Sequence, residues 1–109
     1  MSNPHEISLQ QAIDLTTRFR NNQPSNIPSI CETFELSAIS KLIAIPGCVR
    51  VRIYFGMKED MHIVTILVAV NDQDEDILPN DSFTENQPII VEDGLACPPV
   101  CPKPSPLNS

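Results

Sequence analysis

The stretch GCVRVRIYFGMKEDMHIVTILVAVN, residues 47–71, decides the fold. From Cys48 to Phe55 it alternates. Val49, Val51, Ile53 and Phe55 fall on one face, and Cys48, Arg50, Arg52 and Tyr54 on the other. Successive side chains of a strand point to opposite faces, so this predicts a strand with one apolar and one polar face, its apolar side turned to a core. From His62 to Val70 a second β-rich run follows. Val64, Ile66, Val68 and Val70 share one face and Ile63, Thr65, Leu67 and Ala69 the other. Both faces are apolar, which predicts a central strand covered on both sides. Gly56–Met61 joins the runs, long enough for an antiparallel hairpin with an extended loop. The arginines are expected to face solvent or the acidic parts of the chain.

Working outward, two helices precede the hairpin. Ser8 with Gln11 fits a capping box, and Leu9, Ala12, Ile13, Thr16 and Phe19 recur at helical spacing to about Asn21. Residues 1–6 are expected to fray. Residues 22–30, NQPSNIPSI, read as a loop. The second helix is expected within Glu32–Ile45. Its apolar face is Phe34, Ala38, Ile39, Leu42, Ile43 and Ile45, and Pro46-Gly47 stops it. After the hairpin, 72–87 is a polar, acidic loop with a short extended piece at 76–78. Residues 88–92, PIIVE, form a candidate third strand whose leading proline suits an edge. The end of the chain, CPPVCPKPSP over 97–106, has five prolines in ten residues. That composition excludes helix and central strand, leaving polyproline II or irregular wrapping.

The expected fold is α+β: two N-terminal helices packed on one face of a small antiparallel sheet, with a proline-rich C-terminal tail. One domain is expected over residues 1–96, with the tail from 97 to 109. Hydrophobic residues are 41% of the 109, with five aromatics and no tryptophan, so the core is aliphatic and modest. The start MSNPHE lacks the basic and apolar regions of a signal peptide, and no apolar run approaches the ~20 residues of a membrane span. A cytoplasmic, membrane-free protein is the expectation.

Net charge is −7 and unevenly placed. Residues 1–58 hold six Lys or Arg against four Asp or Glu, and residues 59–109 hold one against ten. An acidic chain repels phosphate backbones, which argues against nucleic-acid binding. Solubility accounts for most of the acidic excess.

The chemistry-bearing residues form no catalytic constellation. His5 and His62 have no nucleophile or carboxylate at local spacing, and three glycines make no phosphate loop. An enzyme is therefore the less favoured class. Asp72, Asp74 and Asp76 imitate the start of a calcium loop, but Ile77 stands where that loop needs glycine and Phe83 where it needs glutamate. A solvated acidic loop is preferred. Cys97 and Cys101 are spaced as half of a zinc site, and Cys48 could be a third ligand, yet no second half-site follows. The same pair could form a disulfide, although a cytoplasmic setting disfavours it. The plain alternative makes Cys31 and Cys48 small apolar residues and the tail thiols incidental. Arg50, Arg52 and Tyr54 could receive an acidic segment, from this chain or another, or simply form a polar sheet face.

Taken together, ETF (32–34), PGC (46–48), RIYFGM (52–57), ILVAVN (66–71), DIL (76–78) and CPPVCPKPSPLN (97–108) resemble a group of small proteins of Bacteroidota bacteria. The resemblance covers most of the chain from about residue 7. It implies a bacterial, unexported protein and carries over no activity. It also implies that the PGC turn and the CPPxCP tail belong to the group's design, which favours Cys48, Cys97 and Cys101 over Cys31.

Two functions follow as expectations. The first is a non-enzymatic interaction or assembly module whose partner is another protein or a second copy, contacting it through Arg50, Arg52, Tyr54, Pro98, Pro99 and Pro102. The second is a thiol-based redox or metal protein built on Cys97 and Cys101, with zinc as the possible cofactor.

Overall fold

The computed structural model describes residues 4–79 and 88–108. The architecture is α+β with two helices and antiparallel strand pairing. The chain forms two compact units. One holds the chain up to Glu32 together with the chain from Ala96 onward; the other is Thr33–Leu95.

In the first unit, α1 spans Leu9–Asn21. Its start is fixed by the expected box: the Gln11 amide donates to Ser8 Oγ at 3.1 Å, and the Ser8 amide donates to Gln11 Oε1 at 2.8 Å. Two otherwise orphaned amides are thereby satisfied. Residues Cys31–Thr33 form a short strand, β1, that the sequence reading did not assign. Its partner is Leu95–Cys97, the last strand of the chain, and the Ile30 amide donates to the Cys97 carbonyl at 2.8 Å. The second helix falls inside the expected Glu32–Ile45, and the strand ahead of it is set by a partner more than sixty residues away in sequence.

In the second unit, α2 spans Leu36–Ile43, β2 is Arg50–Met57 and β3 is Ile63–Val70. The two strands pair antiparallel from Arg50 opposite Val70 to Met57 opposite Ile63. On its other edge β3 carries two short strands end to end. They are β4, Asp76–Ile77, against Val70 and Ala69, and β5, Ile90–Val91, against Val68 and Leu67. The extended pieces expected at 76–78 and 88–92 are thus both present but shorter. The expected 72–87 loop is described only as far as Pro79, and residues 80–87 lie outside the described residues, as do 1–3 of the expected frayed start. Gly47 takes φ +88°, a conformation that glycine reaches without strain, between α2 and β2.

The core is Leu42, Ile45, Leu67, Ala69 and Val91, flanked by Phe34, Ala38, Ile39, Cys48, Ile77 and Ile89. Helix α2 lies against β3 and β5. β2 departs from expectation here. Val51, Ile53 and Phe55 share the sheet face of Ala69 and Leu67, yet they are 41%, 56% and 79% exposed. The reason is width. A helix is ~10 Å across and strands lie ~4.8 Å apart, so one helix seated over β3 and β5 does not reach the third strand.

Candidate interaction surface

β2 presents two contrasting faces. On the polar face, Arg52 Nη1 donates to Asp76 Oδ1 and Arg52 Nη2 to Asp74 Oδ1, each at 2.5 Å. The Tyr54 hydroxyl donates to Asp76 Oδ2 at 2.5 Å. Because β2 and β4 flank β3, the Arg52–Asp76 pair crosses over β3 above Val68 and Val70, which are 3% and 1% exposed.

The turn that delivers these acids is written locally. Asn71 Oδ1 accepts from the Gln73 and Glu75 amides, both at 2.9 Å, and the Asn71 amide donates to the Glu75 carbonyl at 3.0 Å. This side-chain-built turn lets Asp74 sit at φ +65° and sets Asp76 at the head of β4. Asp74 and Asp76, two of the three calcium-like aspartates, are thereby committed to Arg52. Among the described residues, no cluster of His, Cys, Asp or Glu is placed to hold a metal ion.

The network shifts its members' acidities. The Tyr54 hydroxyl, and to a lesser degree Arg52, holds the Asp76 carboxyl below its ordinary value, with partial desolvation working the other way. Donation to Asp76, helped by desolvation, raises the Tyr54 phenol above its own. Arg52, hydrogen-bonded first of all to Asp76, is held still more firmly as a cation. Hydrogen bonds to a charged form favour it, and those donated by a neutral form disfavour its ionisation.

Among the described residues the outer edge of β2 carries no strand, and Val51, Ile53 and Phe55 on its other face are exposed. The Lys58 amide donates to the His62 carbonyl at 2.9 Å, in register with the ladder. Hydrogen-bonded pairs of an antiparallel ladder recur every second residue, so Arg52, Tyr54 and Gly56 turn their backbone groups toward β3. Val51, Ile53 and Phe55 turn theirs outward. Among the described residues β2 pairs with β3 and no other strand. Arg50 is exposed and makes no ion pair among the described residues. Of the three residues expected to meet a partner on this face, the fold therefore ties Arg52 and Tyr54 to its own acids and leaves Arg50 outside.

In the first unit the chain closes on itself after the strand Leu95–Cys97. Cys97 and Cys101 are joined by a disulfide, and the Val100 amide donates to the Ala96 carbonyl at 2.9 Å. The bonds preceding Pro98 and Pro99 are cis. Pro98, Pro99 and Pro102 are exposed around this turn. Beyond it, Asn108 Nδ2 donates to the Lys103 carbonyl and Arg20 Nη1 donates to the Leu107 carbonyl at 2.6 Å, so the end of the chain is anchored to α1. As a disulfide, Cys97 and Cys101 have no thiolate to offer zinc. Cys31 and Cys48 are free and half-buried; Cys48 packs beside the core of the other unit.

Sequence reading misplaced one feature that matters here: the exposed Val51–Ile53–Phe55 strip, assigned to the core. A signal was available, because the second helical segment is too short and narrow to roof a sheet three strands wide. No helix among the described residues is long and apolar enough to cross a membrane. Comparison of the chain with protein-family models, with curated proteins and with solved structures gives no match.

Proposed function

We infer that this chain is a non-enzymatic protein-binding module and that β2 is its binding strand. One observation carries this: an eight-residue strand whose outer edge is unpaired among the described residues and that also exposes Val51, Ile53 and Phe55. Edge strands are ordinarily blunted by shortness, proline, bulges or inward charges, and the middle of β2 has none of these on its apolar face. Such an edge gains affinity from main-chain hydrogen bonds and specificity from alternate side chains. The polar side is neutralised internally, so recognition falls to the edge and the apolar strip. The exposed prolines 98, 99 and 102 are an accessory contact in this account. The test is a photo-crosslinking residue at position 55 in living cells, with position 35 as control. A protein adduct at 55, absent at 35 and lost with Ile53→Lys, is the expected result. No adduct at 55 would overturn the reading.

A second reading rests on the disulfide. Cys101 is exposed whereas Cys97 is buried, so an incoming thiolate reaches Cys101 Sγ and displaces Cys97 as the leaving thiolate. In Cys97→Ser the exchange runs in reverse: the Cys101 thiolate attacks a partner disulfide, one partner sulfur leaves as thiolate, and the mixed disulfide on Cys101 is expected to accumulate because no Cys97 thiolate resolves it. A wholly free Cys101 thiol in that variant would rule this route out.

A further inference from the structure

Resting on the interaction-module reading, we propose that the partner of β2 is β2 of a second copy, the two strands pairing antiparallel about a two-fold axis at Ile53 and joining two sheets into one.

Backbone parity restricts the pairing first. Val51, Ile53 and Phe55 carry the outward N–H and C=O groups, so an odd-numbered residue must lie opposite an odd-numbered one. Any other arrangement leaves the ladder unmade or turns the apolar strip to the wrong face.

Charge then selects among the registers that remain near the strand's middle. Setting Ile53 opposite Val51 of the copy puts Arg52 directly opposite Arg52. Setting Ile53 opposite Phe55 puts Arg50 opposite Lys58. Like charges directly opposite each other destabilise a strand pair. Setting Ile53 opposite its own equivalent avoids both. Arg52 then faces Tyr54, Arg50 faces Gly56, and Val51 faces Phe55. The polar side gains two arginine–tyrosine neighbours, a favourable contact for a guanidinium and an aromatic ring. The apolar side gains a continuous row in which the smaller valine meets the larger phenylalanine and isoleucine meets isoleucine.

This register also uses seven of the strand's eight residues. It pairs Arg50 through Gly56 of one copy with Gly56 through Arg50 of the other, which an arbitrary foreign segment has no reason to match. The symmetry is isologous, the commonest form of a closed dimer.

The test is sedimentation velocity on the full-length, disulfide-intact protein up to about 100 μM, a range in which a micromolar dimer is populated. The expected result is a species of twice the 12.1 kDa chain mass. Ile53→Lys, which places two ammonium groups at the axis and withdraws two isoleucines, is expected to raise the dissociation constant about a hundredfold or more. Ile53 is more than half exposed, so circular dichroism and the melting transition of the variant should match wild type in dilute, monomeric solution. Register is read independently. Ile53→Cys should form an intermolecular 53–53 disulfide under mild oxidation, mapped by peptide mass spectrometry, because opposed residues in such a ladder lie within bridging distance. Val51→Cys alone should not crosslink to itself, but should crosslink to a Phe55→Cys copy. A monomer at every concentration, or a dimer that Ile53→Lys leaves intact, overturns self-pairing. With a monomer, a crosslink from position 55 to a different protein preserves the binding-strand reading, and no crosslink removes both.

Discussion

Arg52 on β2 and Asp76 on β4 meet at 2.5 Å across the face of the strand between them. The bond ties the outer strand of the hairpin to the far side of the sheet, and its arginine stem lies over Val68 and Val70. Long charged side chains cover apolar surface with their methylenes while their heads find partners. Of the acidic segments expected to meet this basic strand face, from this chain or another, two acids of the same unit occupy it.

Removing Arg52 should therefore matter more than removing its neighbour on the same face. Arg52→Ala uncovers Val68 and Val70 and strands Asp74 and Asp76 beside each other. Arg52→Met keeps the cover and loses the charge. The expected order of urea midpoints is wild type, then Arg52→Met, then Arg52→Ala. Arg50→Ala should stay within about 0.5 kcal/mol of wild type, as exposed positions do. Equal effects of Arg50→Ala and Arg52→Ala would contradict the crossing.

The same network sets a pH dependence. Asp76 is held below its ordinary value of 3.8, so the folded state resists protonation and gains stability above that value. That gain is lost as pH falls through the lowered folded value. Tyr54 is raised above its ordinary 10.0, so its gain is complete below 10.0 and lost as pH rises through the folded value. Unfolding midpoints of wild type and Asp76→Asn should differ at neutral pH and converge in acid. Tyr54→Phe should narrow the acid effect and remove the alkaline one. A wild-type-to-Asp76→Asn difference that does not change with pH would remove Asp76 from this role.

Leu42 is the fully buried residue through which α2 meets the core. Leu42→Ala should cost about 2–5 kcal/mol, the range for a leucine removed from a packed interior. Ile43→Ala, one residue on but more than half exposed, should cost far less. Chemical denaturation of both variants gives the comparison, and similar losses would mean that α2 is rotated from its described seat.

The Cys97–Cys101 bridge closes a ring of five residues. Loop-closure entropy for a ring that small is worth about 2 kcal/mol, so the Cys97→Ser/Cys101→Ser double variant should lose no more than that. Protein purified without reductant should weigh two hydrogens less than the reduced chain, with Cys31 and Cys48 alkylated and the other pair resistant. Alkylation of all four would show the bridge unformed.

Much of this fold is legible in the sequence because its signals are local. The Ser8–Gln11 box, the alternation from Val49 to Phe55, the Pro46-Gly47 stop and the doubly apolar β3 each need only a few neighbouring residues. The parts that escape are set at a distance. Cys31–Thr33 is a strand because Leu95–Cys97 pairs with it, which no periodicity near residue 31 reveals. Arg52 and Asp76 are 24 residues apart, and their pairing depends on β4 folding back along β3. The exposure of Ile53 and Phe55 depends on where a single helix sits. Alternation identifies an apolar face but does not say what covers it, whether a helix of the same chain or another molecule.

The most direct measurement is residue-resolved amide hydrogen exchange along β2 over a concentration series. The amides of Arg52, Tyr54 and Gly56, bonded to β3, should be protected at every concentration. Those of Val51, Ile53 and Phe55 should exchange rapidly in dilute solution and slow as a partner strand binds. Outward amides that stay fast at the highest concentration and with cell extract added, or are already protected in the most dilute sample, would contradict β2 as the binding strand.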